Sequence, residues 1–378
     1  MICLQRSACE WETGCVPICR RCLENGMTGK IRRRKMKKRI VNLLLAGILS
    51  VTAVLAAGCG SGKSSSNSGE EGENTVSAGS ENAGSNSASS SGSSDNAEGD
   101  EKGTTVYPLT VEDDLGNEVI IEEEPERVVS LSPANTETLF ALGAGERIVG
   151  RTDYCSYPEE AAEVESVGTY TAPNTELIIS LSPDVVFASD YIDDAVRDQV
   201  EEAGAKVVVF SANDVKSVEK NIETAGQILN LNEKAQELTE SMTAELEELK
   251  DVIAEGGAEK SAFIDLGSYY SAGTGSLLGN MLNDLSVRNI AEDTGETWPQ
   301  LSLEKIIESD PDIYISLFTS PEELKQTSGL NDLECIKNGN IIYFEGLSPE
   351  ADMIQRAGPR IVEGTKLLAE KIYPELFS

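Results

Sequence analysis

The segment N-T-E-L-I-I-S-L-S-P-D (174–184) recurs in altered form as S-L-E-K-I-I-E-S-D-P-D (302–312). In both copies a glutamate, Glu176 or Glu304, precedes a pair of isoleucines by two residues, a proline by seven and an aspartate by eight. Each copy begins with Asn or Ser, residue types that cap helix N-termini, and each runs directly into an apolar stretch. The repeat predicts a short helix followed by a strand, once in each of two related halves of the chain.

Apolar runs around the two copies extend this pattern into an α/β fold. The runs are continuous rather than alternating, which is typical of parallel strands covered on both faces. Six of them are predicted strands: Val128–Leu131, Asp184–Ala188, Lys206–Phe210, Ala262–Leu266, Asp312–Phe318 and Ile341–Phe344. The predicted fold class is therefore α/β, with two lobes that contain mainly parallel sheets.

One long helix is predicted between the two groups of strands. In Asn232–Ala254 the apolar residues recur at helical spacing, with Glu and Lys between them. Such a helix is ~35 Å long, about the width of a small domain. We therefore predict an N-terminal lobe over 106–231, a single rigid connecting helix over 232–255 and a C-terminal lobe over 256–378, with the ligand cleft between the lobes.

The charge composition excludes several classes of function. The chain has 378 residues, with 31 Lys and Arg against 65 Asp and Glu, no His, and a formal net charge of −34. Without His there is no Ser-His-Asp or Cys-His nucleophile and no His-containing metal or haem site. The negative charge disfavours binding to nucleic acid. We expect no catalysis, no cofactor, no metal site of the protein's own and no nucleic-acid partner.

The first 58 residues have the composition of a targeting segment. Eleven of the basic residues but only three acidic ones lie there. The apolar run 40–57 ends in L-A-A-G-C (55–59), an arrangement that resembles a bacterial lipoprotein signal peptide. We predict a signal peptide over 36–58, lipidation of Cys59 and a position on the extracytoplasmic face of the cell membrane. A transmembrane anchor is the alternative, although the run is at the lower edge of the ~20 residues that span a bilayer.

The segments on either side of this signal are predicted to lie outside the folded part. Because a secretion signal lies near a protein's N-terminus, we interpret residues 1–35 as an upstream extension. The alternative is a metal cluster formed by its cysteines Cys15, Cys19 and Cys22. Residues 59–105 are mostly Ser, Gly, Asn, Ala and Glu and cannot bury a core, so we predict a disordered tether. About 45 flexible residues have an r.m.s. reach of about 35–40 Å.

Several segments of the two lobes resemble the substrate-binding proteins that serve ABC importers for cobalamin and iron chelates, and most of all the cobalamin-binding member. These segments are E-R-V-V-S-L-S-P-A-N-T-E (126–137), T-D-Y-C-S-Y-P-E-E-A (152–161), the first repeat copy, W-P-Q-L-S-L-E (298–304) and R-A-G-P-R-I (356–361). The resemblance implies a ligand cleft with little hinge movement. It also implies that Glu176 and Glu304 dock onto arginines of the two permease subunits, which work with ATPase subunits.

Candidate ligand-binding residues lie in loops at the carboxyl ends of the predicted strands, where open α/β lobes bind ligands. These loops contain six of the ten tyrosines and Trp298, which resembles the family's aromatic cleft residue. Aromatic rings with polar tips suit a large, flat, mostly neutral ligand. The candidates are Ser132, Asn135, Tyr154, Tyr157, Tyr170, Tyr191, Tyr269, Trp298 and Arg356.

The choice of ligand depends on charge. A ferric catecholate requires several convergent cations, whereas cobalamin requires fewer, and basic residues near these loops are few. Arg356 and Arg360 either contact the ligand or brace the last helix through carboxylates. The sequence favours cobalamin, bound by a monomer, with a ferric siderophore or haem as the alternative. Two other functions stay open: an exported hydrolase that uses Asp153 and Asp265, and a surface sensor or adhesion module on the same fold.

Overall fold

The computed structural model of the protein describes residues 103–377. Its N-terminal lobe contains the strands β1 (Leu109–Glu112), β2 (Glu118–Ile121), β3 (Val128–Ser130), β4 (Ile148–Arg151), β5 (Gly168–Thr169), β6 (Ala172–Pro173), β7 (Val185–Ser189) and β8 (Lys206–Phe210). Its helices are α1 (Pro133–Ala141), α2 (Thr175–Ser180), α3 (Asp194–Glu202) and α4 (Val215–Ile228). Four of the strands form a parallel sheet in the order β4-β3-β7-β8, and β1 and β2 form an antiparallel hairpin.

The C-terminal lobe repeats this strand order after the connecting helix α5 (Asn232–Gly256). It contains β9 (Lys260–Asp265), α6 (Leu277–Asp284), β10 (Val287–Asn289), α7 (Leu303–Ser309), β11 (Ile313–Ser316), α8 (Pro321–Gln326), α9 (Glu334–Asn338), β12 (Ile341–Tyr343), α10 (Pro349–Gln355) and α11 (Ile361–Ile372). Its parallel sheet has the order β10-β9-β11-β12. In both lobes the first strand therefore lies between the second and the third, and the repeat copies, as α2 and α7, directly precede the third strand.

The connecting helix α5 packs against the hydrophobic core through one face. Its buried residues are Ala235, Thr239, Met242, Leu246, Leu249 and Ile253. All of these except Thr239 belong to one hydrophobic cluster with strands of both sheets. The Nζ of Lys250 also pairs with Asp284 Oδ1 of α6 at 2.6 Å. The predicted α/β class, with two mainly parallel sheets and one long helix between them, is confirmed.

All six predicted strands are present, with ends shifted by no more than two residues. In the two four-stranded sheets, the strands that the apolar runs do not reveal are β4 and β10, each at one edge of its sheet. Both are short and contain Gly, Arg or Asn, so neither forms a continuous apolar run. The hairpin of β1 and β2 also escapes this criterion because its buried and exposed residues alternate.

The chain enters the N-terminal lobe beside the start of α5. The backbone N–H of Thr105 donates to Asn230 Oδ1 at 2.8 Å, and the Tyr107 hydroxyl donates to the Ile228 carbonyl at 2.9 Å. These contacts attach the first described residues to the end of α4 and the turn that follows it. Folded contacts therefore begin slightly before residue 106, the predicted lobe boundary.

The predicted upstream extension, the signal peptide, Cys59 and nearly all of the tether lie outside the described residues. Within 103–377, none of the helices combines the length and the hydropathy that a membrane span requires.

Candidate functional site

The carboxyl ends of both sheets open onto one cavity between the lobes. In each sheet the strand order reverses between the first and third strands, β3 and β7 in one lobe and β9 and β11 in the other. Ligands of open α/β sheets bind at such points. The cavity has a volume of about 600 Å³, and its lining residues lie at 132–135, 138, 154, 170, 189–191, 210–213, 218, 221, 275–277, 297–298 and 355–357.

Capped helix N-termini form part of the cavity wall. Ser132 Oγ accepts the N–H of Asn135 at 3.2 Å and so caps α1, and Ser276 caps α6 in the same way. The Asn135 side-chain amide donates to the carbonyl of Ala188 in β7 at 3.0 Å. Ser132 is therefore engaged in capping, and Asn135 is held at the point where the strand order reverses.

Three tyrosines form one wall of the cavity. The ring centroids of Tyr154 and Tyr170 are 5.9 Å apart and those of Tyr170 and Tyr191 are 6.1 Å apart, both in edge-to-face arrangement. Burial raises the pKa of the Tyr170 hydroxyl, and the nearby Tyr191 and Tyr154 raise it further, so Tyr170 is neutral at physiological pH. The wall therefore presents uncharged rings with hydroxyl groups.

Trp298 contributes to the cavity from the C-terminal lobe, and 56% of it is exposed. Its segment is attached to the loop after β9 by two backbone hydrogen bonds. Ser271 N–H donates to the Pro299 carbonyl and Gly273 N–H donates to the Thr297 carbonyl, each at 2.8 Å. An exposed indole in a cavity that also contains a tyrosine wall is available to stack on a flat ligand.

A buried cluster of charges joins the two lobes at one end of the cavity. The Glu137 side chain of α1, 2% exposed, accepts one hydrogen bond from Arg356 and two from Arg360, all at 2.8 Å. Arg356 also pairs with Asp352 at 2.6 Å, and the Tyr157 ring lies 3.8 Å from the Arg360 guanidinium carbon. Two arginines and two carboxylates leave this cluster without net charge. Arg356, which lines the cavity, is therefore already paired.

An uncharged bridge joins the lobes elsewhere along the cavity. The Asn213 side chain, after β8, donates to the Gly275 carbonyl at 3.0 Å, and the Asn280 side chain of α6 donates to the Asn213 carbonyl at 2.8 Å. Helix α6 follows the first strand of its sheet, as α1 does in the other lobe. The charged and the uncharged bridge thus occupy related positions in the two lobes and hold them together.

A buried carboxylate organises the loop after β9, to which the Trp298 segment is hydrogen-bonded. Asp265, at the end of β9, accepts the N–H groups of Gly267 and Tyr269 at 2.9 and 3.3 Å and the Tyr314 hydroxyl at 2.8 Å. Burial raises the pKa of Asp265 above its ordinary value, although the hydrogen bond from Tyr314 and those from the two N–H groups act to lower it. Asp265 does not line the cavity, so this arrangement indicates a structural role.

We expect the stability contribution of Asp265 to depend on pH. Because its pKa is higher in the folded state, this contribution is fully present below the unfolded-state pKa of about 3.9 and is lost as pH rises through the folded-state pKa. The unfolding free energy of the wild type minus that of Asp265→Asn should therefore fall from about pH 4 to about pH 7.5. Urea denaturation at both pH values measures this difference. The control Asp251→Asn, on an exposed position of α5, should show a much smaller change; a difference for Asp265 that rises with pH would contradict the prediction.

The cavity brings together seven of the nine predicted ligand-binding residues: Ser132, Asn135, Tyr154, Tyr170, Tyr191, Trp298 and Arg356. Tyr157 lies instead against Arg360, in a separate depression of about 1160 Å³ beside the amino end of β4. Tyr269 has a left-handed backbone (φ 64°) and packs against the core of the C-terminal lobe. The structure therefore places these two tyrosines outside this cavity.

The sequence pattern does not reveal the amide groups of the cavity, which belong to Asn213, Asn221 and Gln355. Asn213 lies in the loop after β8, at a carboxyl strand end where ligand-binding residues are expected. That loop contains no aromatic residue, and aromatic residues are the main criterion for the candidates. Glu137 is also missed as a partner of the arginines. Glu137 is the one charged residue in P-A-N-T-E-T-L-F-A, the sequence of α1, and this isolation is the sequence feature that indicates a buried ion pair.

The two repeated glutamates occupy equivalent exposed positions. Glu176 lies in the first turn of α2 and Glu304 in the first turn of α7, and each helix is capped by the first residue of its repeat copy. Within residues 103–377 neither glutamate forms a hydrogen bond or an ion pair. One turn later, Ile179 and Ile307 are 36% and 40% exposed. Each lobe therefore presents the same exposed acidic and apolar pair.

The aspartate of each repeat copy attaches that copy to the first strand of its sheet. Asp184 accepts the N–H groups of Glu126 and Arg127, just before β3, at 2.9 and 2.8 Å. Asp312 accepts the N–H and the hydroxyl of Ser261 in β9 at 2.8 and 2.7 Å. The same anchoring in both lobes fixes the exposed glutamates relative to their sheets.

Comparisons with known proteins match this architecture. A family model described as periplasmic binding protein matches residues 128–346. An uncharacterized ABC transporter substrate-binding lipoprotein of Bacillus subtilis, YvrC, is 33% identical over 285 residues, which cover 72% of this chain and 88% of that protein. The vitamin B12-binding protein of Salmonella choleraesuis is 30% identical over 249 residues, which cover 65% of this chain and 90% of that protein.

A solved structure shows the same fold. It is a possible iron-binding (periplasmic solute-binding) protein from Staphylococcus epidermidis, with a TM-score of 0.58 and 26% sequence identity. The match covers 66% of this chain and 100% of that chain.

Proposed function

The chain belongs to the periplasmic binding protein family, and from this premise we propose that it captures cobalamin between its lobes and delivers it to an ABC permease. As a member of this family with an ABC transporter substrate-binding lipoprotein among its relatives, it is a binding component of an importer and not an enzyme. The identity of the ligand is the part that we propose.

The charge of the cavity carries the proposal. Among the described lining residues the charged ones are Asp190 and Arg356, and Arg356 is already paired with Glu137 and Asp352. No uncompensated cation therefore faces a ligand. Burying an anionic ligand without a cationic partner is unfavourable. A corrinoid with neutral amide arms requires no such partner.

The uncharged lining supports the same ligand. The tyrosine wall and Trp298 offer flat apolar surfaces, and the side chains of Asn135, Asn213 and Gln355 offer amide groups to a ligand with amides of its own. The 30% identity with a vitamin B12-binding protein supports the same choice.

A ferric chelate is the second candidate ligand, favoured by the 26% identity with a possible iron-binding protein. A neutral ferric hydroxamate meets the same charge requirement as cobalamin. Haem carries carboxylates that would need cationic partners. Within residues 103–377 no group of three or more Cys, Asp or Glu side chains is arranged to hold a metal ion, so the chelate itself would hold the iron.

A titration of the purified protein tests the ligand directly. A protein that begins at Cys59 lacks Trp11 and has Trp298 as its single tryptophan. We expect saturable one-to-one binding of cyanocobalamin that changes Trp298 emission, and weak binding of haem and ferric catecholates. Loss of the stacking surface in Trp298→Ala should weaken binding by about 10- to 100-fold.

Calorimetry and inner-filter controls verify this titration. Trp298→Phe, which keeps an aromatic ring, is the matched control and should lose much less affinity. If cyanocobalamin does not bind and a ferric chelate does, the importer role stands and the cobalamin assignment is wrong.

We also propose how the protein meets its partners. Glu176 and Glu304 form two equivalent exposed positions, which suits a permease of two subunits that each offer a cationic residue. A lipid on Cys59 would hold the protein at the extracytoplasmic face of the membrane. The substrate-binding lipoprotein of Bacillus subtilis supports this anchoring.

A further inference from the structure

Glu137 controls the charge of the cavity without lining it. All three hydrogen bonds to its carboxylate come from Arg356 and Arg360, across the boundary between the lobes. Because the Glu137 side chain is 2% exposed, it has no solvent to share these bonds. The carboxylate is thus committed to the two arginines.

Arg356 is the cation that a ligand would meet. It lines the cavity, and its side chain is 13% exposed. Its Nη1 donates to Glu137 at 2.8 Å, and its Nη2 pairs with Asp352 at 2.6 Å and lies 3.3 Å from the Tyr154 carbonyl. Each terminal nitrogen of the guanidinium therefore has a protein acceptor.

Removal of one carboxylate would change what Arg356 can bind. An arginine does not lose its proton in proteins, so the guanidinium would keep its charge and gain a free donor. Carboxylate, phosphate and catecholate oxygens are strong acceptors for such a donor. While Glu137 and Asp352 both pair with Arg356, an anionic ligand gains little binding free energy from this arginine. The carboxylate of Asp190 on the cavity wall also repels such a ligand.

We propose that Glu137 is a specificity-determining residue: by pairing with Arg356 it keeps the cavity closed to anionic ligands. It acts as a positioning residue, through Arg356 and without touching the ligand. The inference rests on the proposed function, because it assumes that the ligand occupies the cavity between the lobes. It concerns the charge of the ligand and does not require the ligand to be cobalamin.

The test compares anionic and neutral probes on the purified protein. We expect Glu137→Gln to bind a trianionic ferric tris-catecholate at least about tenfold more tightly than the wild type does. The gain should disappear in Glu137→Gln with Arg356→Gln, and it should shrink as salt rises from about 50 to about 500 mM. Cyanocobalamin and a neutral ferric trihydroxamate should change affinity much less.

The matched control is Glu363→Gln, an exposed carboxylate of α11 close to Arg360. It makes the same change in net charge and should leave the catecholate affinity at the wild-type value. A generic effect of net charge would appear in this variant as well and would overturn the proposal.

Thermal denaturation verifies that the variants fold. If Glu137→Gln does not fold, Asp352→Asn provides the test. Asp352 is 20% exposed and pairs with the other terminal nitrogen of Arg356, so this substitution also frees a donor of Arg356. A folded variant without tighter catecholate binding, or a gain that survives Arg356→Gln, would overturn the proposal. If cobalamin is not the ligand, the wild type will bind the neutral trihydroxamate and not cyanocobalamin. The comparison between anionic and neutral chelates remains valid in that case.

Discussion

Charge reversal of both repeated glutamates, Glu176→Lys with Glu304→Lys, is expected to abolish import while ligand binding continues. Neither side chain lines the cavity, so the affinity for cyanocobalamin should stay within about twofold of the wild type. Like charges that face each other at an interface cost several kcal/mol, and about 1.4 kcal/mol is tenfold in affinity. Uptake of labelled cobalamin by cells should therefore fall by about 100-fold or more.

The matched control places the same charge change on other exposed acids of the same lobes. Glu202→Lys with Glu308→Lys alters the end of α3 and the last turns of α7, and both glutamates are exposed. This variant should retain uptake near the wild-type level. If uptake survives in the Glu176 and Glu304 variant while its ligand still binds, the docking role is wrong.

Gly273→Ala is expected to damage the cavity and to destabilise the protein. A Cβ at Gly273 would clash with the backbone carbonyl oxygen of Glu296 and would lie 3.1 Å from Pro299 Cδ. The segment that carries Trp298 must then move away from the loop after β9. Overpacking of this kind costs about 1–3 kcal/mol of stability, and displacement of Trp298 should weaken cyanocobalamin binding about tenfold or more.

Urea denaturation and the emission of Trp298 measure the two effects on one sample. Thr274→Ala is the matched control, since it truncates an exposed side chain on the same loop and leaves the backbone contacts in place. Affinity and stability equal to the wild type in Gly273→Ala would show that the loop does not position the indole.

The fold was predictable because its signals are local. A helix-to-strand repeat, six apolar runs and one amphipathic helix each lie in continuous segments of the chain, and the structure contains all of them. The edge strands β4 and β10 are less visible because polar residues interrupt them. The other two edge strands, β8 and β12, are continuous apolar runs and were predicted, so the composition of a strand, rather than its position in the sheet, decides whether it is visible.

The site was predictable only in part because its partners are distant in sequence. Tyr154 and Tyr157 lie three residues apart, yet the first lines the cavity and the second covers Arg360. The cation of Arg356 is visible in the sequence, but its pairing with Glu137 is a contact between two lobes and has no local signature. The charge that a ligand experiences therefore depends on tertiary contacts.

The attachment of the chain beside the start of α5 bears on the proposed anchoring at a membrane. Helix α4 connects the carboxyl end of β8 to this attachment, so Thr105 lies at the side of the N-terminal lobe opposite to the cavity. A domain of this size is roughly 45–50 Å across. With the proposed lipid on Cys59 and the proposed docking of the cavity side on a permease, the segment between Cys59 and Thr105 would have to span the depth of the domain. About 45 residues span at most about 150 Å, which is sufficient, whereas about ten residues span at most about 35 Å. On that proposal the length of this segment would set the effective concentration of the binding protein at the transporter and so contribute to the rate of import.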